Sequence, residues 1–266
     1  MKIAFIGAGK MAEALICRLG TKNIIASDRD ARRLKYIKAA YGIKISESNV
    51  EVFNSAEIVV LAVKPQSIAE VLSEIGSSGI GGGKKKLIIS IAAGIPIGYL
   101  QKKLPGCLII RAMPNNPCLV GQGITALAKG KGTGRRELTV ARKIFESVGE
   151  VIEAPEKWLD AVTGLSGSGP AYVYQMIEAM TAGGIAAGLP EKIAARLALQ
   201  TVLGAAMTVK ETGRDPGELR TMVTSPGGTT IEGLNVLARR KFSQAVVEAV
   251  GAAAKKSRVL SEKWAI

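Results

Sequence analysis

A short run, Lys2-Ile3-Ala4-Phe5-Ile6, passes without interruption into Gly7-Ala8-Gly9-Lys10-Met11-Ala12. A helix-periodic stretch through Ala14, Leu15 and Leu19 follows and stops at Gly20. An apolar strand that enters a helix through so tight a glycine turn is the opening unit of a parallel βαβ sheet, and few other folds accept it. Gly7 permits the turn, Gly9 lets a phosphate group approach bare backbone, and Ala12 is small enough for the helix to pack close to the strand. As a bare pattern the motif is weak, since a close-packed turn would explain it. Directly after an N-terminal strand, it reads as a dinucleotide-binding turn.

The chain repeats the design. Asn23–Ser27 is a second strand, and Asp28-Arg29 after it falls where a ribose contact belongs. An acid there suits the free 2′-hydroxyl of NAD, and a nearby Arg takes the 2′-phosphate of NADP. Asp28 stands among Ser27, Arg29, Arg32 and Arg33, so the residues leave NADPH or NADH open. A helix over 30–41, a strand near Ile43-Lys44-Ile45 and a helical turn from Ser48-Asn49 come next. Glu57–Val63 reads as a strand buried on both faces, ending in Lys64-Pro65-Gln66 where ligands collect in such sheets. Leu87–Gly94 is again an apolar strand followed by small residues, including Ala93. Strands at 107–110, 124–128 and 148–153, a rigid Arg111–Pro117 loop and a helix at 135–147 complete a Rossmann-type doubly wound sheet over residues 1–154.

After Ala154-Pro155, strand-like runs nearly vanish, and residues 155–266 read as an all-α domain with helices at 170–187, 190–211, 216–223, 226–239 and 241–260. These helices are rich in Ala and Gly. The whole chain has 47% hydrophobic but only 4% aromatic residues, so a lone bundle of this size has a thin core. Interlocking with a second copy would supply the missing burial. The segment Ser225-Pro226-Gly227-Gly228-Thr229-Thr230 has the form of a helix start: Ser225 is suited to cap it and Pro226 to stand first in it. Its bare N–H groups and dipole would attract an anion, although a capped helix in a tight packing contact explains these residues equally.

Composition removes several classes of function. The chain has no histidine, so it holds no imidazole acid, base or metal ligand and no Ser-His-Asp triad. Reactivity must come from a cofactor or from the substrate, and no metal site is expected. The net charge of +14 raises the question of nucleic acid, but the Lys and Arg are scattered and a stacking platform is lacking, so the charge reads as solubility and attraction for anionic small molecules. The densest run, Lys84-Lys85-Lys86, follows Gly81-Gly82-Gly83 in a surface loop. No apolar run reaches a membrane span, no signal peptide is recognisable, and Cys17, Cys107 and Cys118 show no disulfide spacing. The expected location is the cytoplasm.

Five blocks then stand out together: Gly7–Ala12, Ala62-Val63-Lys64-Pro65, Arg111-Ala112-Met113-Pro114-Asn115, Gly164–Ala171 and Ser225–Thr230. In order and spacing, across essentially the whole chain, they closely resemble the pyrroline-5-carboxylate reductases. The resemblance implies reduction of L-1-pyrroline-5-carboxylate to L-proline by NADPH or NADH, the last step of proline biosynthesis. It also implies a homodimer formed through the helical domain, sometimes assembled to a decamer. Residue by residue, it places Gly7, Gly9, Lys10 and Met11 at the pyrophosphate, Asn49 on the adenosine side, where the residues themselves also offer Ser27 and Arg29, and Ala62, Lys64, Pro65 and Ala93 near the nicotinamide. Ser225, Gly227, Gly228, Thr229 and Thr230 correspond to the loop that grips the substrate carboxylate, with Thr230 near the ring nitrogen. The Gly79–Lys86 loop has the look of an insertion.

A protonated cyclic imine is already electrophilic, and hydride addition leaves a neutral amine, so a chain without histidine can serve by alignment alone. Such positioning is worth roughly 7–11 kcal/mol of barrier. Two other readings compete. A hydroxyacid dehydrogenase would want a lysine acid in the helical domain, and none stands out around Ser166–Ala171 or Ser225–Thr230. A catalytically silent nucleotide sensor would bind coenzyme without turnover.

Overall fold

The computed structural model describes residues 2–20, 22–77 and 85–264. Its contacts divide the chain into two compact units, one of residues 1–168 with 251–266 and one of residues 169–250. The Gly79–Lys86 loop lies outside the described residues as far as Lys84.

The first unit is built on eight strands. They are β1 (Ile3–Ile6), β2 (Ile24–Ser27), β3 (Lys44–Ser46), β4 (Ile58–Leu61), β5 (Leu87–Ser90), β6 (Leu108–Met113), β7 (Gly123–Lys129) and β8 (Gly149–Glu153). They lie in the order β3-β2-β1-β4-β5-β6-β7-β8, parallel except that β7 runs antiparallel to β6. The order reverses direction between β1 and β4, where ligands bind in open α/β sheets. Every residue of β1, β4 and β5 is buried, which is why their sequences run apolar without alternation.

Helices cover both faces. On one lie α1 (Lys10–Leu19), α2 (Ala31–Tyr41) and α6 (Arg135–Glu146), which send Leu15, Leu34, Ile37, Ile144 and Phe145 against Phe5, Val60 and Ile110. On the other lie α3 (Asn49–Asn54), α4 (Ile68–Ser77) and α5 (Ile97–Lys103), and the four-residue α7 (Leu159–Val162), which bury Phe53, Leu72, Leu100 and Leu159 against Ile6, Leu61 and Ile88. Asp30 caps α2 by accepting from the N–H groups of Arg32 and Arg33, and Ser48 caps α3 by accepting from Glu51 N–H. Lys86 is bound to that layer: its Nζ donates to Ala56 O at 2.6 Å beside the end of α3.

The second unit contains α8 (Gly169–Ala186), α9 (Glu191–Thr212), α10 (Pro216–Met222) and α11 (Thr229–Arg239). A last helix, α12 (Phe242–Glu262), begins in this unit and ends in the first. Gly184 lets α9 come close to α8, since a β-carbon there would lie 3.0 Å from Ala194 Cβ. Burial is otherwise sparse: only Ala194 and Ala198 of α9 are buried, and no residue of α8, α10 or α11 is. Tyr174, Leu197, Leu203, Met222 and Val247 are all exposed, so this unit has the thin core that its composition implied.

Candidate active site

The ends of β1, β2 and β4 are joined by backbone. Gly7 N–H donates to Ser27 O at 2.8 Å and Ala62 N–H donates to Ile6 O at 2.8 Å. Gly7 has φ +96°, and a β-carbon on it would lie 2.7 Å from the carbonyl carbon of Ala62. Glycine is therefore required there twice, for the dihedral and for the contact. Gly9 precedes α1 as its N-cap without any side-chain cap, and a β-carbon on Gly9 would meet nothing within 4 Å. Open space beside bare backbone, at the positive end of a ten-residue helix, is what a pyrophosphate needs. Lys10 is exposed and Met11 half-buried over the same turn.

The Ala8 backbone is held on both sides. Its N–H donates to Asp28 Oδ2 at 2.7 Å, and its carbonyl accepts from Arg33 Nε at 2.6 Å. Arg33 Nη2 also pairs with Glu13 Oε2 at 2.5 Å, while Glu13 Oε1 accepts from Tyr36 OH at 2.9 Å and Tyr41 OH at 3.0 Å. Burial favours the neutral acid, but the hydrogen bonds from Arg33, Tyr36 and Tyr41, aided by the Arg33 charge, outweigh it and hold Glu13 at about 2. Tyr41, half-buried and bonded to that carboxylate, is pushed up to about 12. The sequence reading placed Arg33 among the possible 2′-phosphate contacts and did not single out Glu13. A carboxylate inside an otherwise apolar helix face, at Glu13 between Ala12 and Ala14, is the signal that would have drawn attention to it.

On the adenosine side, Ser27 and Asn49 are brought together. Buried Ser27 Oγ donates to Asn49 Oδ1 at 2.7 Å, and Asn49 Nδ2 donates to Glu74 Oε2 at 2.7 Å. Arg29 and Arg32 are exposed at the start of α2. Past β4, half-buried Ala62, exposed Lys64 and half-buried Pro65 form the turn into α4. Half-buried Ala93 follows β5 on the approach to α5. The Arg111–Asn115 and Gly164–Ala171 blocks also meet: a β-carbon on Gly167 would lie 2.6 Å from the Met113 methyl. Arg111 itself is buried, with Nη1 donating to Glu156 Oε1 at 3.2 Å, and that carboxylate oxygen also accepts the first N–H of α5 from Ile97 at 2.7 Å. Among the described residues no group of three or more acidic or cysteine side chains could hold a metal ion.

The Ser225–Thr230 stretch belongs to the second unit, so it is not grouped with the residues above. Here the structure corrects the sequence reading of Ser225 as helix cap and Pro226 as first helical residue. Helix α11 begins at Thr229, and its N-cap is Gly228 with no side-chain cap. Residues Ser225–Gly228 form a tight turn instead, in which Gly228 N–H donates to Ser225 O at 3.0 Å and Gly227 has φ +69°. That left-handed dihedral cannot continue a right-handed helix, so the helix waits until the glycines are passed. A β-carbon on Gly228 would run into Ser225 Oγ, so the turn is closed over this hydroxyl. Thr229 and Thr230 are exposed in the first turn of α11.

Residues 156–260 match the family described as pyrroline-5-carboxylate reductase dimerisation, and residues 2–94 match NADP oxidoreductase, coenzyme F420-dependent. A pyrroline-5-carboxylate reductase of Synechocystis sp. is 46% identical over 269 residues, covering 99% of this chain and 99% of that protein. Among solved structures, a pyrroline-5-carboxylate reductase from Coxiella burnetii superposes with a TM-score of 0.89 at 34% identity, covering 98% of each chain. The pyrroline carboxylate reductase of Plasmodium falciparum, solved with NADP bound, gives 0.88 at 32% identity and covers 98% of each chain.

Proposed function

The chain belongs to the pyrroline-5-carboxylate reductases, and on that premise we propose how its own residues divide the reaction. The reaction is NAD(P)H-dependent reduction of the C=N bond of L-1-pyrroline-5-carboxylate to L-proline, the last step of proline biosynthesis. When bound, the reduced nicotinamide supplies the hydride.

Gly7, Gly9, Lys10 and Met11 seat the pyrophosphate. Ser27, Arg29 and Asn49 face the adenosine, and Ala62, Lys64, Pro65 and Ala93 flank the nicotinamide. The observation that carries this assignment is the Gly7–Ala62 contact, which draws the turn after β4 against a glycine turn whose backbone lies open at Gly9. In the second unit, Ser225, Gly227, Gly228 and Thr229 receive the substrate carboxylate. The uncapped N-terminus of the eleven-residue α11 supports this role, because its free N–H groups and dipole favour an anion.

Thr230 is the proposed catalytic residue, with its hydroxyl accepting a hydrogen bond from the protonated ring nitrogen. Hydride adds to the imine carbon, the C=N pair moves onto nitrogen, and a neutral secondary amine results. No oxyanion develops, so no histidine is needed. The functional division follows the sequence: residues 1–154 hold the coenzyme, and residues 155–266 bind substrate and form a homodimer, grouped into a decamer in the cytoplasm. The helical unit supports the dimer by its exposed apolar side chains, and among the described residues no helix is long and apolar enough to cross a membrane.

The test is a steady-state assay of NADPH and NADH oxidation with pyrroline-5-carboxylate, run beside 2-hydroxyacid substrates in the reverse direction. Proline formation with the imine supports the reading. Turnover confined to hydroxyacids, or coenzyme binding with no turnover, overturns it.

A further inference from the structure

The peptide that joins Ala8 to Gly9 is held from outside the glycine turn, by a side chain that the assigned roles do not use. Arg33 comes from the first turn of α2, and its Nε donates to Ala8 O at 2.6 Å. A trans peptide is planar, so its C=O and N–H point in opposite directions. Fixing the Ala8 carbonyl on one side therefore fixes the direction of Gly9 N–H on the other. Asp28 holds the preceding peptide through Ala8 N–H at 2.7 Å, so both peptides flanking Ala8 are tied to the β2–α2 segment.

Arg33 is itself braced. Its Nη2 is paired with Glu13 of α1, its guanidinium lies 5.0 Å from the centre of the Tyr36 ring, and Glu13 is completed by the hydroxyls of Tyr36 and Tyr41. Lys10 Nζ stands 3.4 Å from the same Glu13 oxygen, but Lys10 is exposed while the Arg33 and Glu13 side chains are only 19% and 11% exposed. The guanidinium is thus committed to one carbonyl and one carboxylate, whereas Arg29 and Arg32 of the same segment are exposed.

We propose that Arg33, braced by Glu13, is a positioning residue that sets the Ala8–Gly9 peptide and so the pyrophosphate seat for either coenzyme. The inference rests on the reading of the glycine turn as the coenzyme site. It separates Arg33 from any contact with a 2′-phosphate. The two roles predict different behaviour: a residue acting through the turn touches what NADPH and NADH share, and a 2′-phosphate ligand touches only what distinguishes them.

The experiment measures dissociation constants of NADPH and NADH, by coenzyme fluorescence without turnover, for the full-length chain and for Arg33→Ala, Arg33→Lys and Glu13→Gln. Arg33→Ala should weaken both coenzymes by the same factor, about five- to twentyfold, while the KM for pyrroline-5-carboxylate at saturating coenzyme stays within about twofold. Arg33→Lys can keep one of the two bonds and should recover part of the loss. Glu13→Gln should loosen both coenzymes equally and by less than Arg33→Ala. A loss confined to NADPH overturns the proposal, as do unchanged affinities in a folded Arg33→Ala protein. Should Arg33→Ala fail to fold, Arg33→Lys and Glu13→Gln carry the same comparison. Because affinity is read without turnover, inactivity toward pyrroline-5-carboxylate would sink the proposed reaction and leave this inference standing.

Discussion

Gly7 and Ala62 approach so closely that a β-carbon added to the first would lie 2.7 Å from both the carbonyl carbon and the carbonyl oxygen of the second. Ala62 N–H in turn donates to Ile6 O at 2.8 Å, so the turns after β1 and β4 are bonded as well as packed. The switch point of the sheet is therefore a backbone-to-backbone contact, and side-chain substitution elsewhere cannot relieve it.

Gly7→Ala tests that contact. Its φ of +96° is strained for any residue with a β-carbon, at roughly 1–3 kcal/mol, and the contact with Ala62 adds to it. For a chain of this size each kcal/mol is worth about 2–4 °C, so the melting temperature should fall by roughly 5–10 °C. Coenzyme affinity should fall with it. Calorimetry and coenzyme titration check both, and a melting point within 1 °C of the unsubstituted protein would show that the turn relaxes.

Thr230→Ala should lower kcat/KM for pyrroline-5-carboxylate about tenfold or more, if the lost hydrogen bond is worth ~1.4 kcal/mol at the transition state. Thr230 is exposed, so the melting temperature should hardly move. Thr230→Ser keeps the hydroxyl and should recover most of the rate. Unchanged kinetics in Thr230→Ala would remove Thr230 from the mechanism.

Most of the architecture is legible in the chain, and the reasons are local. The β1–α1 unit shows itself because its strand is continuously apolar and its glycines stand between strand and helix periodicity. The helix near 30–41 is marked by Asp30, and the observed α2 starts one residue after that cap. The turn from Pro65 into α4, and α5, are not legible in the sequence, because the helical run into α4 opens at Lys64 and α5 opens at Pro96, neither of which offers a capping side chain. The start of α11 was misplaced by three residues at Pro226, since Ser-Pro is a good cap pair in isolation and only the left-handed Gly227 vetoes it. The pairings made by Glu13, Arg33 and Asp28 are not legible, for a different cause. Their partners lie 20 to 25 residues away, and a bond between elements leaves no spacing rule in the sequence.

Glu13 ties stability to acid. An ordinary glutamate value of 4.5 falls to about 2 in the folded chain, so the unfolded state binds a proton that the folded state refuses. The resulting stabilisation is fully present above pH 4.5 and is lost as pH falls from there through about 2. The gap corresponds to roughly 3 kcal/mol. Glu13→Gln should therefore lower stability at neutral pH and flatten the dependence of unfolding free energy on pH between those limits. Urea titrations across that range check it, and parallel slopes in the two proteins would rule Glu13 out as the source.

The second unit carries the last prediction. Leu203 on α9 is 51% exposed and Val247 on α12 is 70% exposed, in helices that bury almost nothing among themselves. A surface of this kind is costly in water, and covering a leucine is worth about 1.5–3 kcal/mol. If a second copy covers it, Leu203→Asp removes that burial from both partners and forces a charge into each side of the contact. Each Leu203 is already half covered, so loss of burial alone is about 1.5–3 kcal/mol per dimer, which weakens association by roughly one to two powers of ten. Light scattering at micromolar concentration should show a dimer or larger assembly for the unsubstituted chain and a shift toward monomer for Leu203→Asp. A stable monomer before substitution would mean that this unit tolerates its thin core alone, and the interlocking reading would fall.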